Sequence, residues 1–172
     1  MINILTWNIQ GAAGSTFRDH LRRFKADSKL SVIALMETWL SGDKADRIIS
    51  RLGFQSLFRV EAQGFCGGIS LLWNDDITVR VVSVSNQFIH TMIQGALLDE
   101  PCFFTMVYAS PQAQHRRHLW DQLCDLNPGD ERPWLIGGDF NALLHLGDHR
   151  GGQSGCNYVC RKFQDFVFSC AL

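Results

Sequence analysis

The stretch Trp134-Leu135-Ile136-Gly137-Gly138-Asp139-Phe140-Asn141 decides how the rest of the chain is interpreted. Its first four residues predict a short strand, because a mainly apolar run of this length is typical of strands buried on both faces. Asp139 and Asn141 stand two positions apart beyond it, so in an extended backbone they project in the same direction. Two interpretations stay open: the pair serves hydrolysis or metal binding, or it caps and closes a turn.

Other apolar segments also end in a polar side chain. These segments are Ile2–Trp7, Ser31–Met36 and Cys102–Tyr108, which lead to Asn8, Glu37 and Tyr108. Ligands of such sheets gather at the ends of strands, so these residues join Asp139 as candidate site residues. A Glu directly after a buried strand is hard to explain without a partner, because an unpaired buried charge is costly.

The remaining pattern predicts many strands between helix-bearing ends. Tight turns in the middle of the chain favour antiparallel neighbours, with strands at Phe54–Val60, Gly67–Trp73, Ile77–Val84 and Phe88–Gln94. Apolar spacing predicts helices from about Phe17, over Asp43–Leu52, over Gln114–Leu126 and from about Asn157. We therefore expect an α/β (α+β) fold in which two sheets pack face to face with helices outside.

Composition limits the classes of function. The chain has 172 residues with 46% hydrophobic and 19% charged content, which fits one globular domain over residues 1–172. Sixteen basic and seventeen acidic residues give a net charge of −1, so a strongly basic nucleic-acid binder is not indicated. The start of the chain lacks the features of a signal peptide, and no window is long and apolar enough to span a membrane. We expect an intracellular protein, in the nucleus or cytoplasm and not secreted, with its six cysteines as free thiols.

Taken together, the motifs resemble the endonuclease/exonuclease/phosphatase superfamily, which has a DNase I-like fold. They are Thr6-Trp7-Asn8, Leu35-Met36-Glu37-Thr38-Trp39, Val107-Tyr108-Ala109-Ser110-Pro111 and Gly138-Asp139-Phe140-Asn141, in that order. Within the superfamily the chain is most similar to the apurinic-endonuclease-like domain of plant LINE-type retrotransposons. The tracts that carry this closer likeness are 138–144 with Arg150-Gly151-Gly152, and Tyr108-Ala109-Ser110-Pro111 with Arg116-Arg117.

The resemblance implies a four-layered sandwich and a Mg²⁺-dependent phosphodiesterase, with Mn²⁺ as an alternative ion. It assigns Glu37 as the metal ligand with the help of Asn8, and Asp139 as the group that orients or deprotonates the attacking water. Asn141 would bind a phosphoryl oxygen, and Tyr108 would donate to the phosphate or the leaving group. The partner would be DNA, with no small-molecule cofactor and no membrane, and a longer parent protein could carry a reverse transcriptase.

Arg116 and Arg117 suit a DNA backbone, since Arg pairs with phosphate, although a solvated helix start also explains them.

The sequence also departs from the family. Two further family motifs, of Arg-x-Asp-Tyr and Ser-Asp-His type, have no counterpart in it, and Asp148-His149 is too close to Asn141 to replace the second one. The resemblance therefore implies a domain that lacks its C-terminal part, with an incomplete second sheet and an uncovered edge. Losing one such catalytic group typically costs ~10²–10⁴-fold, so we expect weak or no turnover.

Three alternatives stay open. His145-x-x-x-His149 with Cys156-x-x-x-Cys160 could form a zinc-binding module, although this spacing is looser than in usual zinc sites. The chain could be a non-catalytic remnant of a mobile element. It could also be a phosphatase of the same fold, because fold does not choose between phosphodiesters and phosphomonoesters.

Overall fold

The computed structural model describes residues 2–10, 15–38, 42–43, 47, 50–61, 68–96, 98–129, 132–148 and 159–172. The strands are β1 Ile4–Asn8, β2 Val32–Met36, β3 Ser56–Val60, β4 Ile69–Trp73, β5 Ile77–Val84, β6 Phe88–Gly95, β7 Cys102–Tyr108 and β8 Trp134–Asp139. The helices are α1 Ser15–Ser28, α2 Leu119–Asp125 and α3 Arg161–Ser169, with short 3₁₀ turns at Ser50–Leu52 and Leu146–Asp148.

The strands form two four-stranded sheets of mixed direction. Sheet 1 has the order β1-β2-β4-β3, and sheet 2 has the order β5-β6-β7-β8. Each sheet contains one parallel pair, β1–β2 in sheet 1 and β7–β8 in sheet 2, and its other pairs are antiparallel. The carboxyl ends of both parallel pairs therefore lie where polar side chains were predicted to gather.

The core has three parts that correspond to the interfaces of a four-layered sandwich. Alternate residues of β2 illustrate it: Ile33 and Leu35 pack against α1, whereas Val32, Ala34 and Met36 pack toward sheet 2. On the far side of sheet 2, α2 and α3 cover β7 and β8 with an aromatic-rich cluster. The predicted fold class, two packed mixed sheets flanked by helices, is confirmed.

The predicted helix over Gln114–Leu126 is wrong in its first part. Residues 113–118 form turns, and α2 begins only at Leu119. The side chain of Arg116 reaches back to the carbonyls of Ser110 and Pro111, so its loop curls toward β7 instead of continuing the helix.

The last helix also begins later than the apolar spacing indicated. It starts at Arg161, and Val159 lies before it in an isolated parallel bridge with Leu143. Asn157, where the helix was predicted to begin, lies outside the described residues. Of the helix predicted over Asp43–Leu52, Asp43 is helical and the end is a 3₁₀ turn, while most of the rest lies outside the described residues.

The apolar positions of α1 that recur at helical spacing, Phe17, Leu21 and Phe24, are not all buried. Phe17 and Leu21 are buried, but Phe24 keeps 44% of its surface exposed. Lys25 instead packs over the Phe54 ring and donates to the carbonyls of Leu52 and Gly53. Partial burial lowers the pKa of Lys25. No helix in the described part of the chain has the length and apolarity needed to cross a membrane.

Candidate active site

The two parallel strand pairs place four predicted site residues at one end of the sandwich. In sheet 1, Asn8 is in register with Met36, so Glu37 follows one residue beyond it. In sheet 2, Tyr108 is in register with Asp139. Carboxyl ends of parallel strands form a crevice, and here one such end from each sheet borders the same crevice.

Asn8 and Tyr108 both join the two sheets through side-chain hydrogen bonds. In the case of Asn8, the amide bonds two carboxylates. Its amide nitrogen donates to Glu37 Oε1 at 2.9 Å and to Asp139 Oδ2 at 2.9 Å. The Tyr108 hydroxyl donates to Glu37 Oε1 at 3.0 Å. An amide donor between two carboxylates offsets part of their mutual repulsion, so the Asn8 amide holds both side chains close together.

Asp139 closes a turn, which is one of the two interpretations that its sequence context left open, and it also bonds Asn8 in the site. Oδ1 accepts the Asn141 backbone N–H at 3.0 Å and so closes the turn, while Oδ2 accepts from Asn8 in the site. A carboxylate has about four acceptor positions, so the turn and the site use different lone pairs of one side chain. The turn fixes the direction in which the carboxylate points.

Asn141 lies at the rim of the site. Its side-chain nitrogen donates to the Ala109 carbonyl at 2.8 Å, which links the end of β8 to the loop after β7. The residue is exposed, and its second amide proton and its amide oxygen have no partner among the described residues. Asn141 can therefore donate to a bound anion without breaking this link.

Two site residues have left-handed backbone conformations that are uncommon outside glycine. The φ angles are +53° at Glu37 and +43° at Asn141. Such conformations in non-glycine residues are sparse and concentrate at functional positions. Gly138, with φ +146°, lies where no side chain fits, because a Cβ there would lie 1.9 Å from the Val107 carbonyl oxygen. The close approach of β8 to β7 next to Asp139 thus depends on glycine.

A cleft of about 550 Å³ opens at these strand ends. Asn8, Asp139, Asn141 and Arg116 are among its lining residues. Glu37 adjoins this cleft through its hydrogen bond with Asn8. The cleft thus offers acidic groups for a cation and a guanidinium for an anion within one space.

The two arginines of the predicted DNA contact have different positions. Arg116 lines the cleft, and its Nη1 donates to the carbonyls of Ser110 and Pro111 at 2.8 and 2.9 Å. Its Nε is buried without a hydrogen-bond partner in the described chain. The side chain of Arg117 is exposed and is not among the cleft-lining residues.

The donor set at this end of the sandwich suits a hard cation. Both hydrogen bonds to Glu37 end on Oε1, and no described residue donates to Oε2. Carboxylate oxygens are the ligands that Mg²⁺ prefers, and Mg²⁺ is commonly held by one or two carboxylates and several waters. The Asn8 Oδ1 accepts a hydrogen bond from the Gln10 backbone N–H at 3.4 Å, which leaves one lone pair of that oxygen.

Soft metal sites find no support in the described part of the chain, where no three His, Cys, Asp or Glu residues are grouped to hold a metal ion. His149 and Cys156, two of the four residues of the possible zinc module, lie outside the described residues. His145 is exposed, and its backbone N–H donates to Asp148 Oδ2 at 2.8 Å within a turn. The zinc module stays a prediction.

Two residues to which the motifs assigned no role, Thr6 and Gln87, lie in or near the cleft. Thr6 lines it, two positions before Asn8 on the same face of β1, so period-two alternation from Asn8 could have found it. Gln87 is buried behind the loop that carries Arg116, and nothing in its local sequence distinguishes it from an ordinary turn residue.

Comparison with solved structures shows the same fold. The endonuclease domain of TRAS1, a telomere-specific non-LTR retrotransposon, is 18% identical with a TM-score of 0.68, covering 98% of this chain and 72% of that one. The AP endonuclease LMAP of Leishmania major is 16% identical with a TM-score of 0.69, covering 98% and 66%. The 3′ phosphatase NExo from Neisseria, bound to a product DNA hairpin, is 16% identical with a TM-score of 0.57, covering 83% and 58%.

The chain thus spans roughly three fifths to three quarters of the length of these structures. No curated protein sequence matches it significantly. A family model described as the Endonuclease/Exonuclease/phosphatase family matches residues 5–155, a range that contains every residue of the candidate site. The resemblance seen in the motifs is therefore confirmed: the chain belongs to the endonuclease/exonuclease/phosphatase family.

Proposed function

We propose that the chain is a divalent-metal-dependent phosphodiesterase domain that nicks DNA, of the retrotransposon endonuclease type. One observation carries the proposal: two hydrogen bonds join the sheets at the site, from Asn8 to Asp139 and from Tyr108 to Glu37, and a third joins Asn8 to Glu37. Phosphodiester hydrolysis needs a positioned water, neutralised phosphate charge and a stabilised leaving oxygen. The four side chains, with Asn141 and Arg116, provide groups for each requirement.

Glu37 is the proposed anchor for Mg²⁺ or Mn²⁺, through the oxygen that accepts no bond from Asn8 or Tyr108. Such an ion supplies Lewis-acid polarisation of a phosphoryl oxygen and neutralises developing charge. Asn8 holds the Glu37 carboxylate in place through its amide nitrogen. Direct ligation by Asn8 stays a prediction.

Asp139 is the proposed acceptor of the proton of the attacking water. Its carboxylate is held in one direction by the Asn141 backbone and in another by Asn8, which leaves lone pairs on both oxygens. A base must lie within hydrogen-bond reach of the proton it takes, and a fixed carboxylate at the cleft meets that condition.

Tyr108 and Asn141 are the proposed neutral donors to the phosphate. The Tyr108 hydroxyl already donates into the site at Glu37, and Asn141 keeps one amide proton free at the rim. Neutral hydrogen-bond donors of this kind stabilise the negative charge that develops on an oxygen, and they add no net charge to the site.

DNA is the proposed substrate because Arg116 lines the cleft beside the acidic groups. With a net charge of −1, the protein attracts a polyanion only through such local cations. Binding should therefore weaken as salt rises, since each phosphate contact releases counterions from the DNA. Arg117, exposed next in sequence, is the proposed second backbone contact.

The first test is removal of the proposed metal anchor. We expect Glu37→Gln to weaken Mn²⁺ binding, measured by calorimetry, by ~10-fold or more, because it removes the main ligand charge. Nicking of supercoiled plasmid with Mg²⁺ or Mn²⁺ should disappear in the same variant. Glu100→Gln, an exposed carboxylate outside the cleft, should match the wild type in both assays.

Unchanged Mn²⁺ binding in Glu37→Gln would overturn the role of Glu37. A phosphomonoester substrate, such as a 3′-phosphorylated oligonucleotide, distinguishes the phosphatase alternative, which requires release of phosphate without nicking. Cation binding without either reaction would favour the non-catalytic remnant. The weak turnover expected from the sequence stays a prediction, and robust nicking abolished by Glu37→Ala would contradict it.

The finer assignments are part of the proposal. A closer kinship with plant LINE-type elements and a reverse transcriptase in a longer parent protein are tested by the transcript beyond codon 172. A reading frame with no reverse transcriptase motifs would contradict them. The intracellular location is tested with a fluorescent fusion, and appearance of the fusion in the medium would contradict it.

A further inference from the structure

Gln87 is a buried polar residue at the turn between β5 and β6, and in sequence it lies outside every motif of the site. It retains 5% of its surface exposed. Polar side chains are seldom buried without partners, and an unsatisfied buried amide destabilises a fold. The partners of Gln87 therefore indicate why an amide occupies this position.

Both ends of the Gln87 amide are bonded to the loop of residues 109–118, which joins β7 to α2. Oε1 accepts the Ser110 backbone N–H at 2.7 Å, and Nε2 donates to the His115 carbonyl at 3.0 Å. The Gln87 carbonyl also accepts the Tyr108 backbone N–H at 2.8 Å. Gln87 thus bonds the loop at its start through Tyr108, at its first turn through Ser110 and at its far side through His115.

The opposite side of the loop is tied to the site itself. The Ala109 N–H donates to the Asp139 carbonyl at 2.8 Å, and the Ala109 carbonyl accepts from the Asn141 side chain. Arg116 closes the loop through the Ser110 and Pro111 carbonyls. Ser110 is therefore shared: its N–H is held by Gln87 and its carbonyl holds the Arg116 guanidinium.

We propose that Gln87 is a positioning residue that sets the place of Arg116 in the cleft by clamping the loop between Ser110 and His115. The inference rests on the proposed function, because it takes a DNA phosphate as the ligand of Arg116. Gln87 itself contacts no reacting atom. The clamp needs an acceptor and a donor on one short planar group, and an amide side chain supplies both without a change of protonation state.

The test begins with Gln87→Met, which keeps a similar length and removes both hydrogen bonds. We expect affinity for a fluorescent DNA duplex, measured by anisotropy, to fall roughly tenfold, and the salt dependence to weaken by about one phosphate contact. Mn²⁺ affinity should stay unchanged, because Glu37 is held by Asn8 and Tyr108. Gln94→Met, an exposed glutamine near the end of β6, the strand that follows Gln87, is the matched control.

A double-mutant cycle separates positioning from general destabilisation. If Gln87 acts through Arg116, Gln87→Met should have little further effect on DNA binding once Arg116→Ala is present. Additive losses would overturn the proposal. Thermal unfolding of each variant shows whether it is folded at the temperature of the assay.

Gln87→Glu provides a second variant and a readout that loss of packing would not move. Above its pKa the new carboxylate accepts from Ser110 but faces the His115 carbonyl without a proton to donate. Below that pKa, which burial raises, the protonated group donates to His115 and restores the clamp. DNA affinity relative to wild type should therefore recover as the pH falls from 8 to 5, and a constant ratio would overturn the proposal.

Failure of the inference and failure of the proposed function have different signatures. If Arg116→Ala weakens DNA binding and neither Gln87 variant does, the positioning role is wrong and the proposed function stands. If Arg116→Ala and added salt leave DNA binding unchanged, the proposed DNA contact is wrong and the positioning role falls with it.

Discussion

The two sheets each supply a parallel strand pair to the site, but the two pairs are supported differently. The β7–β8 pair lies under two helices and a stacked aromatic cluster formed by Trp120, Phe140, Phe163 and Phe166, with ring centroids 4.7 to 6.5 Å apart. The β1–β2 pair is covered by α1, from which Phe17 and Leu21 are buried while Phe24 stays largely exposed. Every residue of β2 is buried, but every residue of β1 is only half-buried.

This difference teaches where the precision of the site comes from. Tyr108 and Asp139 are placed by a packed sheet, a glycine contact and a turn that fixes the carboxylate. Asn8 ends a half-buried strand, and its amide is held by the two carboxylates it bonds. The site residues of sheet 2 are thus placed by packing and backbone contacts, whereas Asn8 of sheet 1 is held by the carboxylates it bonds.

The largest expected effect is on the aromatic cluster. Phe166→Ala should lower the free energy of unfolding by ~3–5 kcal/mol, because it leaves a cavity between β7–β8 and the helices that cover them. Phe168→Ala, two residues along α3 and 89% exposed, should change it by less than ~0.5 kcal/mol. Urea denaturation measures the free energy of unfolding of both variants. Equal losses of stability would contradict the contrast between the buried and the exposed face of α3.

Gly138 comes next. Gly138→Ala should cost ~2–4 kcal/mol, because a Cβ meets the Val107 carbonyl and the φ of +146° is strained for any other residue. Gly147→Ala is the control, since a Cβ at Gly147 has no neighbour within 4 Å. If both variants unfold at the same denaturant concentration, the close approach of β8 to β7 is not what holds Asp139 in place.

A smaller effect is expected on the open side. Phe24→Ala should cost about 1 kcal/mol or less, because the ring makes an edge contact with Trp7 at 5.7 Å but stays 44% exposed. The same denaturation experiment measures it against Phe166→Ala. A loss as large as that of Phe166→Ala would show that α1 supports sheet 1 as firmly as α2 and α3 support sheet 2.

The smallest expected effect is a pH dependence within sheet 2. His90 is buried, stacked on Phe103 and bonded to Thr105, and burial lowers its pKa. The unfolded chain therefore binds a proton at His90 more readily than the folded chain does. The stability that neutral His90 contributes is fully present above the unfolded pKa of about 6.5 and declines as the pH falls below it. Between pH 7 and 5, the free energy of unfolding should fall less in His90→Gln than in the wild type. The difference between the two falls should be below ~1.4 kcal/mol for each unit by which the pKa of His90 is lowered. Parallel pH curves for the two proteins would contradict this.

Much of this architecture could be predicted from local patterns. Apolar runs such as Ser31–Met36 identified the strands, since a buried strand must be apolar on both faces. Helix starts were predicted less well: Arg116 is drawn to the Ser110 and Pro111 carbonyls, so the turns before Leu119 depend on contacts that spacing alone does not reveal. Phe24 shows the same limit, because its exposure depends on where α1 lies on the sheet.

By itself, the sequence determined which side chains end the strands, and with them the chemistry available: two carboxylates, two amides, a phenol and an arginine. This follows from periodicity and polarity, which are local properties of the chain. Only the tertiary structure decided that Asn8 bridges Glu37 and Asp139, residues separated from it by 29 and 131 positions. It also decided that Arg116 enters the cleft and that Gln87 clamps its loop. Such contacts depend on sheet order and register, which bring distant residues together in ways that no local pattern encodes.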